Sequence, residues 1–78
     1  VNMNLQPNPA SSQVRLSVEG VSGMLDCAII DMSGRVVYND KFSAESPKFI
    51  NLGGLNKGAY FVRITNSTFS KVEKLIVR

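Results

Sequence analysis

Apolar and polar residues alternate with a period of two along much of the chain. Val14, Leu16 and Val18 interleave with Arg15, Ser17 and Glu19, and Tyr60, Val62 and Ile64 interleave with Phe61, Arg63 and Thr65. Successive side chains of a strand point to opposite faces, so both segments are predicted to be half-buried strands. Leu25 to Asp31 carries apolar residues on both faces, which predicts a strand in the middle of a sheet. Shorter apolar runs around Leu5, from Arg35 to Asn39, from Lys48 to Leu52 and from Lys71 to Arg78 read as further strands. Asp40 to Pro47 is polar and reads as irregular chain anchored to the core by Phe42. No segment shows the 3.6-residue period of an amphipathic helix.

Turn-forming residues separate these runs. Pro7-Asn8-Pro9-Ala10-Ser11-Ser12 cannot continue a central strand, and Gly20-Val21-Ser22-Gly23 breaks the next one. Asp31-Met32-Ser33-Gly34 has the composition of a tight hairpin, with Asp bonding the backbone and Gly supplying a positive φ. Gly53 to Gly58 forms a glycine-punctuated turn with Leu55 tucked inward, and Asn66-Ser67-Thr68 reverses the chain again. About seven short strands divided by turns predict an all-β fold, a small antiparallel β-sandwich of immunoglobulin-like type.

At 78 residues the chain is expected to form one domain, residues 1–78. A chain of this size buries only about 60–65% of the surface that its unfolded form exposes. Cys27 is the single cysteine, so no internal disulfide supports the core, and its apolar surroundings read as those of a small buried hydrophobe. The strand over Lys71 to Arg78 places Leu75, Ile76 and Val77 at a chain end with no polar tail. Such an end frays unless it is docked in a sheet or held by a partner. Val1-Asn2-Met3-Asn4 lacks the basic and apolar regions of a signal peptide, so a signal for export would lie upstream.

Charge is distributed unevenly. Residues 57–78 carry Lys57, Arg63, Lys71, Lys74 and Arg78 against Glu73, whereas residues 1–56 carry four basic and five acidic side chains. The asymmetry either steers an acidic partner or keeps outward strand positions polar and their edges unattractive. The chain has no histidine, so neither a histidine-based nucleophilic site nor a zinc site can be built. Asp26, Asp31 and Asp40 lack the spacing of a calcium loop. In Gly53 to Gly58 the lysine precedes the last glycine and a strand follows, unlike a phosphate-binding loop. Asn66-Ser67-Thr68 matches a glycosylation acceptor, but turn-forming residues explain it. Nucleic acid is not an expected partner, because the aromatic residues are needed for the core. The expectation is a non-enzyme without metal or cofactor.

Four features follow one another in order. These are Pro7-Asn8-Pro9-Ala10-Ser11, then Ile29 to Val37 around Asp31-Met32-Ser33-Gly34, then Leu52 to Ile64 with the pattern Leu-x-x-Gly-x-Tyr-Phe-Val-Arg, and finally Lys74-Leu75-Ile76-Val77. From Leu5 to Arg78 the chain resembles the C-terminal sorting domain of proteins exported by the type IX secretion system of Bacteroidetes bacteria. The resemblance implies a signal at the end of a longer secreted protein, following an upstream cargo domain. Its partners would be outer-membrane translocon and shuttle proteins and a sortase-like cysteine protease that removes the domain. The cargo would pass through the periplasm and then be secreted or attached to the cell surface.

The residues implied for recognition or for the fold motif are Pro7, Asn8, Pro9, Gly34, Gly58, Tyr60, Lys74, Leu75, Ile76 and Val77. Physical roles follow from residue type. Pro7 and Pro9 fix φ and remove backbone donors, Gly34 and Gly58 hold conformations closed to other residues, and Tyr60 buries its ring with its hydroxyl on a partner group. An immunoglobulin-like adhesive module that binds carbohydrate or protein is the alternative. A small sandwich with short terminal strands is also expected to form edge-to-edge or strand-exchanged homodimers at high concentration.

Overall fold

A computed structural model describes residues 1–78. Seven strands follow in chain order: β1 (Asn2–Gln6), β2 (Gln13–Glu19), β3 (Met24–Asp31), β4 (Val36–Ser43), β5 (Lys48–Asn51), β6 (Gly58–Thr65) and β7 (Ser70–Val77). They form a three-stranded sheet in the order β1-β2-β5 and a four-stranded sheet in the order β4-β3-β6-β7. Every pairing between these strands is antiparallel. The result is the small β-sandwich that the period-two pattern predicts, with β3 inside its sheet as its two apolar faces require.

The core lies between the sheets. Leu16 and Val14 from β2, Ile29 from β3, Val62 and Ile64 from β6 and Leu75 from β7 are fully enclosed. Each such side chain contributes about 1.5–3 kcal/mol on leaving water. No polar or charged residue is buried, so the core holds through apolar contact alone. Cys27 sits in this cluster, where burial pushes its thiol up to about 11 and keeps it protonated and unreactive at neutral pH.

One segment differs from the expectation. Asp40 to Ser43 is the second half of β4, paired Asp40↔Cys27, Lys41↔Asp26, Phe42↔Leu25 and Ser43↔Met24, and only the residues after it form a turn. Phe42 is buried as expected. The alternation is hidden for two reasons. The register shifts between Ile29 and Ile30, so that Val37 is an extra residue in β4, and both Val37 and Tyr38 pack on the core. The inward row then reaches Asp40 at the sandwich margin, where a carboxylate replaces an apolar side chain.

That carboxylate closes one side of the sandwich. Lys48 at the start of β5 forms an ion pair and hydrogen bond with Asp40 on β4, linking the edge strands of the two sheets. The pairing lowers the Asp40 carboxyl below its ordinary value and raises the Lys48 ammonium, each through the other. Asp40 Oδ1 also accepts the Lys41 N–H at 2.8 Å. The β3–β4 register turns the Lys41 amide away from β3, so Asp40 caps a donor on an open sheet edge.

Burial predicts how substitutions divide. Leu16→Ala removes a side chain with 0% exposure and should cost about 2–5 kcal/mol, a large share of the stability of a chain of this size. Phe49→Ser, at a position 57% exposed, should stay within about 0.5 kcal/mol of the parent. Urea denaturation of both variants checks the contrast.

Candidate functional site

The side of the sandwich opposite the Asp40–Lys48 pair is closed by backbone. β7 is an edge strand, and its outward-facing groups come from the even-numbered residues, because the odd-numbered ones face β6. The connection between β1 and β2 runs along the second half of this edge. Ala10 N–H donates to the Ile76 carbonyl at 2.8 Å and Arg78 N–H donates to the Ala10 carbonyl at 2.8 Å, a parallel bridge centred on Ala10 and Val77. Two residues earlier the Asn8 side chain repeats the same pattern. Its Nδ2 donates to the Lys74 carbonyl at 2.9 Å, and its Oδ1 accepts the Ile76 N–H at 3.1 Å. A carboxamide carries the donor and acceptor of a peptide group, so Asn8 extends the ladder with its side chain.

The remaining motif residues lie against the same end of β7. Gly58 pairs with Val77 and Tyr60 with Leu75, while Tyr60 pairs on its other side with Asp31. One cross-strand row therefore reads Asp31, Tyr60, Leu75. The neighbouring row reads Val36, Ile30, Phe61, Lys74. Tyr60 buries its ring and donates its hydroxyl to the Asn56 carbonyl at 2.6 Å, which ties the glycine-rich turn down before β6 begins. Gly58 has φ +151° and Gly34 has φ +90°, conformations that side-chain-bearing residues rarely adopt.

Asp31 organises the Gly34 turn. Its Oδ1 accepts the Ser33 N–H at 3.0 Å, the Ser33 hydroxyl at 2.7 Å and the Arg35 N–H at 2.9 Å. Gly34 N–H closes the turn on the Asp31 carbonyl at 3.0 Å, and Arg35 Nε reaches Oδ2 at 3.2 Å. The Ser33 hydroxyl foremost, then the Arg35 amide, hold the Asp31 carboxyl down to about 2 from its ordinary 3.8.

Pro7, Asn8, Pro9, Gly58, Tyr60 and the segment Lys74 to Val77 thus meet at one end of the sandwich, with the Gly34 turn following Asp31 at that same end. Within β7 the roles divide. Leu75 and Val77 are buried, Ile76 is half-buried, and Lys74 is exposed with no carboxylate within 4.0 Å. The side-chain bonding of Asp31 to the backbone of the Gly34 turn is as the sequence predicts, whereas the parts played by Asn8 and Ala10 were not anticipated. An Asn flanked by prolines is a signal in hindsight, since proline provides no N–H for a backbone ladder. The assembly contains no nucleophile paired with a base; it anchors a strand and displays a short basic segment.

The family model for the secretion system C-terminal sorting domain matches residues 4–78. The chain belongs to the type IX secretion C-terminal sorting domain family. Among curated proteins, none matches it significantly. The sorting domains of this family are signals and not an enzyme family. A type IX sorting signal implies interaction with the secretion machinery and export across the outer membrane, to secretion or the cell surface. For this sorting domain the family match covers all four motif segments, and the structure shows why they occur together: they build a single end of the sandwich.

Removing the Asn8 amide should loosen that end first. Asn8→Ala is expected to cost about 0.5–2 kcal/mol and to speed hydrogen exchange at the Ile76 and Arg78 amides ahead of those in β3. Backbone exchange followed by NMR measures this directly.

The Asp31 turn has its own pH signature. A carboxylate with a lowered folded pKa stabilises the fold above its unfolded value and loses that effect as pH falls through the folded one. The Asp31 contribution should therefore be complete above about pH 5 and fade between about 4 and 2. Asp31→Asn should melt lower than the parent at neutral pH, with the gap narrowing toward pH 2, as thermal scans across that range would register.

Proposed function

We propose that residues 1–78 form the C-terminal sorting domain of a longer secreted protein and direct it from the periplasm across the outer membrane. The domain is engaged by outer-membrane translocon and shuttle proteins. A sortase-like cysteine protease then removes it, leaving the upstream cargo secreted or attached to the surface. The domain acts as a substrate of this machinery and has no catalysis of its own.

The observation that carries this reading is the division of labour along β7. Leu75 and Val77 are buried and Ile76 is held by Asn8 and Ala10, whereas the Lys74 side chain stands free beside them. A receptor reading a folded signal needs a rigid backbone and an accessible side chain, and this segment offers both. The basic excess of residues 57–78 favours an acidic receptor surface.

The test fuses residues 1–78 to a reporter with an N-terminal signal peptide in a type IX-competent cell. The parent fusion should reach the medium or the cell surface. Lys74→Ala should lower that export several-fold while keeping stability within about 0.5 kcal/mol, because the side chain is exposed. Deletion of residues 74–78 should abolish export and lower stability together. A folded, intact parent fusion retained in the periplasm would overturn the assignment.

A further inference from the structure

Parts of the exposed sheet edge in this protein are blocked by the chain itself. On β4 the Asp40 carboxylate takes the outward Lys41 N–H. On the second half of β7, Asn8 and Ala10 occupy the outward groups of Lys74, Ile76 and Arg78. β1 and β5 are only five and four residues long. The first half of β7, Ser70 to Lys74, is left uncovered. There the N–H and C=O of Val72 and the N–H of Lys74 point away from β6. Val72 is 48% exposed, and neither Lys71 nor Glu73 has an opposite charge within 4.0 Å.

An edge of unpaired amides and carbonyls accepts an extended backbone, and the side chains decide whose. An antiparallel mate centred on Val72 needs a carboxylate opposite Lys71, an apolar group opposite Val72 and a cation opposite Glu73. Ser70-Lys71-Val72-Glu73-Lys74 read backwards supplies that order. We propose that the first half of β7 pairs antiparallel with the same segment of a second copy, about a two-fold axis through Val72. This joins the two four-stranded sheets into one continuous sheet.

In this register each Val72 exchanges N–H···O bonds with its mate, and each Lys74 N–H meets the Ser70 carbonyl of the other copy. Lys71 and Glu73 face one another in the non-hydrogen-bonded pairs, whose Cα atoms lie about 4.5 Å apart. The two ion pairs form on the inner side of the sheet, where Glu73 borders a groove of about 160 Å³ that Met3 and Leu5 also line. On the outer side the two Val72 side chains meet, and Lys74 stands opposite Ser70, so no like charges are opposed. Parallel in-register pairing would stack Lys71 on Lys71. An axis moved to Lys74 would oppose two lysines on an edge that Asn8 already occupies. Only the Val72-centred register satisfies both charge and backbone. The proposal is independent of export, since it concerns the isolated 78-residue chain.

Sedimentation equilibrium from micromolar to millimolar concentration tests the pairing. The parent chain should dimerise reversibly, with Val72 and Lys74 amides gaining hydrogen-exchange protection as concentration rises. Lys71→Glu or Glu73→Lys, each placing like charges opposite one another twice, should weaken the dimer by roughly tenfold or more while leaving the monomer folded. An equimolar mixture of the two variants should restore it as a heterodimer, and Lys71→Glu/Glu73→Lys should restore the homodimer. A parent chain that stays monomeric at millimolar concentration overturns the proposal. So does a dimer indifferent to either charge reversal, or a mixture no more dimeric than its components. A slowly interconverting strand-exchanged dimer would show that second behaviour.

Discussion

The outer edge of β7 is hydrogen-bonded to chain 66 and 68 residues earlier in the sequence, through the Asn8 carboxamide. A two-sheet sandwich has two open sides, and here no disulfide spans them, because Cys27 is alone and buried. One side is joined by the Asp40–Lys48 pair. The other is joined by Asn8 and Ala10 bonding to β7, which ties the connection after β1 in one sheet to the edge strand of the other. Directional backbone bonds fix register as well as proximity. The β6–β7 register places Leu75 and Val77 over the core and Lys74 outside it, and the Asn8 and Ala10 bonds hold that strand from its outer edge.

This arrangement makes recognition and folding hard to separate. Pro7 to Pro9, the Asp31–Gly34 turn, the Gly58–Tyr60 segment and Lys74 to Val77 are scattered through the sequence, yet cross-strand pairing gathers them at one end. Several of them maintain that end: Tyr60 holds the turn at Asn56, Gly58 and Gly34 adopt positive φ, and Asn8 continues a ladder. Lys74 is the exception, contributing its carbonyl to the fold and its side chain to the surface. In the folded sandwich the backbone of Lys74 to Val77 is held on both edges while the Lys74 side chain stays exposed. A family signature spread over the chain is then the expected footprint of a single folded end.

The same edge accounting shows where the chain blocks its own edges. Asp40 covers a donor on β4, and Asn8 and Ala10 cover the second half of β7. The uncovered first half of β7 has a charge order that is complementary to its own reverse. Edge chemistry therefore governs both how this sandwich closes on itself and what it can meet.

Much of the fold was legible in the sequence because strand burial writes itself as alternation. β2 and β6 show it plainly, the two apolar faces of β3 marked a central strand, and glycine and proline clusters marked the turns. The second half of β4 was not legible, because a bulge at Val37 shifts its phase and Asp40 ends its inward row at the margin. Residue type was enough to place the Tyr60 ring inward and to assign Gly34 and Gly58 to conformations that other residues avoid. It could not say that Asn8 bonds Lys74 and Ile76, nor that Ala10 bridges Val77, because such contacts depend on which edges the two sheets bring side by side. The sequence by itself determined the strands, the turns and the motif order that marks the family, since these arise from local periodicity and backbone preference. Only the tertiary structure decided that the motifs form one end and that β7 is half covered and half open, since hydrogen bonds between distant segments have no local signature.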